Sequence, residues 1–93
     1  MARQAARLIV EGRVQGVGYR WWVTGEARGL GLDGWVRNRH DGTVELLAIG
    51  EPEALDRLAQ ACAIGPRGAK VDRVARTDAQ DDGSPSFDQR PTV

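Results

Sequence analysis

Apolar residues in this chain switch between a period of two and helical spacing in the order strand, helix, strand, strand, helix, strand. That order is the tightest constraint on what the chain can fold into. Arg7 to Val14 alternates Leu8, Val10, Gly12 and Val14 against Ile9, Glu11 and Arg13, the mark of a strand with one buried face. Trp21 to Leu30 sets Val23, Ala27 and Leu30 on one side of a helix with Trp22 beside them, and Gly29 and Gly31 stand where it would end. Gly34 to Asn38 and Thr43 to Ile49 are rich in strand formers, and Asp41-Gly42 between them is a hairpin signal. Pro52, Glu53 and Asp56 suit the first turn of a second helix, whose buried stripe is Leu55, Leu58, Ala59 and Cys62 and whose stop is Gly65-Pro66. Ala69 to Thr77 is the next strand. Its apolar positions Val71 and Val74 lie three apart, which predicts a bulge. "DAQDDGSP" is a solvated loop, and "SFDQR" around Phe87 can add a short last strand.

This β-α-β-β-α-β order folds most simply as an α+β ferredoxin-like sandwich, two helices covering one face of an antiparallel sheet. Residues 1–93 then make a single domain with one two-layer core. In that topology the first two strands run parallel with the third between them. The loop after Val14 and the residue Asn38 therefore emerge at the same end of the sheet, roughly 10 Å apart across two strand spacings. A phosphate, a water and an arginine side chain fit that gap.

The loop itself is "EGRVQGVGYRWW", Glu11 to Trp22. A P-loop would need four residues between its glycines and then Gly-Lys-Ser/Thr, but Gly18 is followed by Tyr19-Arg20-Trp21. A dinucleotide fingerprint starting at Gly16 would want a small residue where Trp21 stands. What survives is a run of main-chain N–H groups ahead of a helix N-terminus, where an anion is favoured. From spacing alone a glycine turn without a ligand fits equally well. Arg20 shifts the balance, because a guanidinium at a helix start opposes the helix dipole and a docked anion offsets the conflict.

Composition narrows the partners. Thirteen acidic and thirteen basic residues cancel, which removes the long-range positive field of a chain held to nucleic acid or membrane by bulk charge. No apolar run approaches the ~20 residues of a membrane span, and "MARQAAR" lacks the apolar stretch of a signal peptide. A cytoplasmic monomer is the expectation. The single cysteine, Cys62, cannot form an intrachain disulfide or a thiolate metal cluster, and its helical period places it in the core. The order would also suit a small RNA-binding module, but its central strands would then carry aromatic residues, and Arg7–Val14 and Thr43–Ile49 carry none. A phosphate sensor without turnover is the other rival.

The segments "GRVQGVGYRWWV", "GLDGWVRNRHDGTVE" and "GPRGAKVDRV" resemble the acylphosphatase family, over nearly the whole chain from about Leu8 to Val74. The resemblance implies the same ferredoxin-like fold and hydrolysis of the carboxyl–phosphate bond of acyl phosphates to a carboxylate and inorganic phosphate. The substrate is then a small molecule, with no metal or other cofactor. Arg20 matches the family's phosphate-binding arginine, and Gln15, Gly16, Val17, Gly18 and Tyr19 match the cradle whose main-chain N–H groups wrap the phosphoryl oxygens. Asn38 matches the asparagine that orients the attacking water. The tail "DAQDDGSPSFDQRPTV" departs from the family pattern. Similar units open larger hydrogenase-maturation proteins, but zinc-finger cysteines would follow there, so a stand-alone enzyme is expected. His40 reads as an exposed turn residue, Asp41 as a turn former, Glu45 as a solvent-facing strand position, and Trp21, Trp22 and Trp35 as packing residues.

Overall fold

A computed structural model describes residues 3–93. The elements are β1 (Gln4–Arg13), α1 (Tyr19–Gly29), β2 (Asp33–Asn38), β3 (Val44–Gly50), α2 (Pro52–Ile64), β4 (Lys70–Ala79) and β5 (Phe87–Gln89). Four strands make the expected sheet. In spatial order it runs β4-β1-β3-β2-β5, with β3 antiparallel to both β1 and β2, so β1 and β2 are parallel with β3 between them. The short β5 is real and adds one feature. It pairs with β2 in parallel, Gly34 opposite Phe87, so the sheet is mixed at that edge.

The bulge falls where the apolar spacing breaks. Glu11 pairs with Arg73 and Gly12 with Val71, so Asp72 has no opposite number. Gly12 is obligatory there: a Cβ would sit 2.1 Å from the Lys70 carbonyl oxygen.

One face of the sheet holds Ala6, Leu8, Val10, Val36, Val44, Leu46 and Ala48, packed against Val23 and Ala27 of α1 and Leu55, Leu58 and Cys62 of α2. Phe87 of β5 completes this core and is fully buried. Each helix thus presents the stripe its sequence period predicts. Among the described residues, no helix is long and apolar enough to cross a membrane.

Two expectations are corrected on the remaining surfaces. Glu45 is not solvent-facing: its side chain is 4% exposed on the sheet face away from the helices. Arg7 of β1 donates to it at 2.6 Å and Arg37 of β2 at 2.8 Å. Burial alone would raise the Glu45 carboxyl's pKa, but the two guanidinium hydrogen bonds outweigh it and hold the group below the ordinary glutamate range. Trp21 is not a packing residue either, being 76% exposed on the outer side of α1. Trp22 is half-buried with its ring edge-on to Tyr19, centroids 5.3 Å apart, and Trp35 is half-buried between the guanidinium groups of Arg37 and Arg90.

Candidate active site

The β1–α1 junction turns within five residues, Val14 to Gly18. Gly16 and Gly18 take φ of 74° and 76°, a left-handed conformation that side chains disfavour, and they alternate with a valine that does not take it. Such alternation curls successive N–H groups toward one side. Among the described residues, the N–H groups of Gln15 to Tyr19 have no main-chain acceptor, and the first bond of the helix runs from Trp22 N–H to the Gly18 carbonyl. A Cβ on Gly16 or Gly18 would meet nothing within 4 Å, so these two face open space.

The loop is held from both sides. The Gln15 side-chain amide donates to the carbonyls of Arg39 at 2.7 Å and Thr43 at 2.9 Å, fastening the loop to the β2–β3 hairpin. Tyr19 is buried, and its hydroxyl donates to the Cys62 carbonyl at the end of α2, 2.8 Å away. Burial pushes the Tyr19 hydroxyl far above its ordinary pKa and the Cys62 thiol up to about 11. Both are therefore neutral anchors rather than reacting groups.

A hollow of about 190 Å³ lies over the loop. Gln15, Gly16, Gly18, Tyr19 and Arg20 line it on one side and Asn38 on the other. The parallel arrangement of β1 and β2 has delivered Asn38 to the loop. Val17 does not line the hollow; its side chain packs against the core, leaving only its N–H available to the site.

Two groups in the hollow are unfinished. Arg20 makes no ion pair among the described residues, although it sits in the first turn of a helix with no acidic residue there and no side-chain cap. Asn38 Oδ1 is buried without a hydrogen-bond partner. A buried carbonyl oxygen left so costs about 1–3 kcal/mol, so the position favours a donor such as water.

The neighbouring polar residues are otherwise engaged. Exposed His40 donates its main-chain N–H to the Val93 carbonyl at 2.7 Å and does not line the hollow. Asp41 accepts from the Thr43 hydroxyl and N–H at 2.6 and 2.9 Å, bonds that hold its carboxyl below the ordinary range. Gln89 also lines the hollow, which sequence reasoning missed. Its arrival depends on β5 pairing with β2, and no periodicity in the tail carries that information.

A family model described as acylphosphatase matches residues 6–89. An acylphosphatase from Acidiphilium cryptum is 48% identical over 88 residues, covering 95% of this chain and 97% of that protein. Among solved structures, an acylphosphatase from Bacillus subtilis superposes with a TM-score of 0.90 at 40% identity, covering 96% of this chain and 99% of that one. One from Coxiella burnetii gives 0.91 at 34% identity, covering 95% and 93%. With the family model matched over residues 6–89 and the Acidiphilium cryptum relative aligned over nearly the whole length of both chains, the chain belongs to the acylphosphatase family.

Proposed function

We propose that this chain hydrolyses the carboxyl–phosphate bond of acyl phosphates in the hollow between the Gln15–Arg20 loop and Asn38. The observation that carries this reading is that three unfinished groups line one hollow. They are the glycine loop, whose N–H groups lack main-chain acceptors among the described residues, Arg20, which has no ion pair among them, and Asn38, whose carboxamide oxygen has no hydrogen-bond partner. The N–H groups of Gln15 to Tyr19 and the Arg20 fork hold the phosphoryl oxygens. Negative charge there is favoured by the α1 dipole as well as by the arginine. These donors also meet the charge that spreads over the equatorial oxygens as the bond to the leaving carboxylate lengthens.

The chemistry asks for little else. A carboxylate leaves readily, its conjugate acid having a pKa of about 4, so no general acid is required. The water must be aimed in line with the departing oxygen. Asn38 does this: its carboxamide oxygen accepts a hydrogen bond from the water, which turns a lone pair toward phosphorus. The substrate's own phosphoryl oxygen takes the proton as the new bond forms. No step calls on a metal, and turnover is expected to persist in a chelator. On this reading the chain is a cytoplasmic monomer working as one domain on a small molecule, and the balance of acidic and basic residues supports a partner other than nucleic acid or membrane.

Hydrolysis of benzoyl phosphate in ¹⁸O-water, with chelator present, tests the scheme. The label is expected in inorganic phosphate, from attack at phosphorus. Label in benzoate, or a rate that follows the ionisation of one enzyme side chain near neutral pH, would overturn it.

A further inference from the structure

Beside the phosphoryl hollow lies a roomier one of about 440 Å³, within the range that holds small organic ligands. Trp21, Trp22, Thr24, Glu26 and Arg28 line it along the outer side of α1, and Gln89 reaches it from β5. Trp21 and Gln89 line both hollows, which makes them neighbours across a shared wall. Most polar groups in the larger one are spent internally. The Thr24 hydroxyl donates to the Arg20 carbonyl at 2.7 Å. Arg28 Nε donates to the Phe87 carbonyl at 3.0 Å, and its Nη2 approaches Asp88 at 3.4 Å. These last two contacts brace α1 against β5, so the walls are tied together. What remains for a ligand is the exposed indole of Trp21, the partly exposed Trp22, the Gln89 amide and the Glu26 carboxylate, which has no ion pair among the described residues.

We propose that this second hollow is the acyl subsite, and that it selects acyl phosphates whose acyl group is planar, aromatic and uncharged. The proposal rests on the phosphoryl reading above. A phosphoryl group seated on the loop must send its acyl carbon outward, and Trp21 directly follows Arg20 on the wall shared by both hollows. An indole face left in water gains by covering a flat apolar group, which contributes beyond simple area burial. Glu26 disfavours a second negative charge on the same group. No aromatic selection would arise if Trp21 were merely a surface residue, because the phosphoryl cradle is indifferent to what the carboxyl carries.

The test compares kcat/KM for benzoyl, acetyl and 4-carboxybenzoyl phosphate in the wild type and in Trp21→Ala, Trp21→Phe, Glu26→Gln and Arg20→Ala. The wild type is expected to favour benzoyl over acetyl phosphate, chiefly through KM. Trp21→Ala should shrink that ratio about tenfold, and Trp21→Phe should keep most of it. 4-Carboxybenzoyl phosphate should be turned over roughly threefold less well than benzoyl phosphate, a gap that Glu26→Gln closes. A benzoyl-to-acetyl ratio unmoved by Trp21→Ala, or equal turnover of the two aroyl phosphates by the wild type, overturns the acyl subsite. Retention of turnover on all three substrates by Arg20→Ala would instead overturn the phosphoryl reading.

Discussion

The two helices of this fold begin in opposite ways. α2 starts from Glu51 in an extended conformation, carries Pro52 in its first turn and places Glu53 there as well, a carboxylate at the positive end of the dipole. α1 starts from a left-handed glycine, has no acidic residue in its first turn and puts Arg20 there instead. Neither has a side-chain cap. The second helix nonetheless has its dipole answered by its own sequence, whereas the first has been given a charge of the wrong sign. On the function proposed above, a helix start that is worse than it need be, beside a loop whose N–H groups lack main-chain acceptors among the described residues, is completed by an anion from outside the chain.

Removing that charge should have the largest effect. Arg20→Ala is expected to lower kcat/KM for benzoyl phosphate by several hundredfold, as loss of a preorganised donor costs roughly 3–4 kcal/mol in the transition state. Circular dichroism should show the fold retained, because Arg20 makes no ion pair among the described residues. Unchanged turnover would mean that the unfinished start of α1 is a defect rather than a site. Asn38→Ala comes next. It should cut kcat about a hundredfold while inorganic phosphate still inhibits competitively, because the anion's donors belong to the loop and not to β2. Equal loss of phosphate inhibition would move Asn38 from aiming water to holding phosphate.

How much of this was legible in the sequence follows from the range of the interactions. Gly16, Gly18 and Arg20 lie within five residues, so their conflict with an ordinary helix start can be read locally. Asn38 is distant in sequence but reached the site predictably, since the element order makes β1 and β2 parallel across β3. Glu45 was misread because a lone glutamate in an alternating strand looks solvated. Its burial is made by Arg7 and Arg37, which come from the two flanking strands and meet only once register is set. Trp21 was misread for a local reason that the helix wheel could have exposed. It lies two residues, about 200° of turn, from Val23, on the face away from the core.

Arg7 and Arg37 extend the comparison, since they are what Arg20 is not: guanidinium groups whose carboxylate is built in. Glu45→Gln should therefore cost stability, about 1–3 kcal/mol at neutral pH, and spare turnover. The sign of its pH dependence follows from the depressed carboxyl. Glu45 stabilises the fold above its unfolded pKa, and that contribution disappears as pH falls from about 4.5 through the lower folded value. Denaturant midpoints measured from pH 7 to pH 3 should fall steeply in the wild type and less steeply in Glu45→Gln. Parallel curves would mean that this carboxylate is not what the acid limb reports.

The smallest effect is also the most direct contrast between the two helix starts. Arg20→Glu gives α1 the charge that α2 already has, and Glu53→Arg gives α2 the charge of α1. At low ionic strength the first should stabilise the free protein and the second destabilise it, each by about 0.3–1 kcal/mol. For a domain of this size that is roughly 2–6 °C in Tm, within reach of calorimetry. Salt should shrink both shifts, since the charges lie near the surface. Inorganic phosphate then separates the helices. It should raise the Tm of the wild type and of Glu53→Arg, because an anion bound only by the folded state stabilises it, and leave Arg20→Glu unmoved. A protein made more stable by losing its function at Arg20 would show that this arginine is kept at the expense of its own helix. If Arg20→Glu instead melted lower in phosphate-free buffer, the guanidinium would have an internal partner, and the contrast between the two helices would fail.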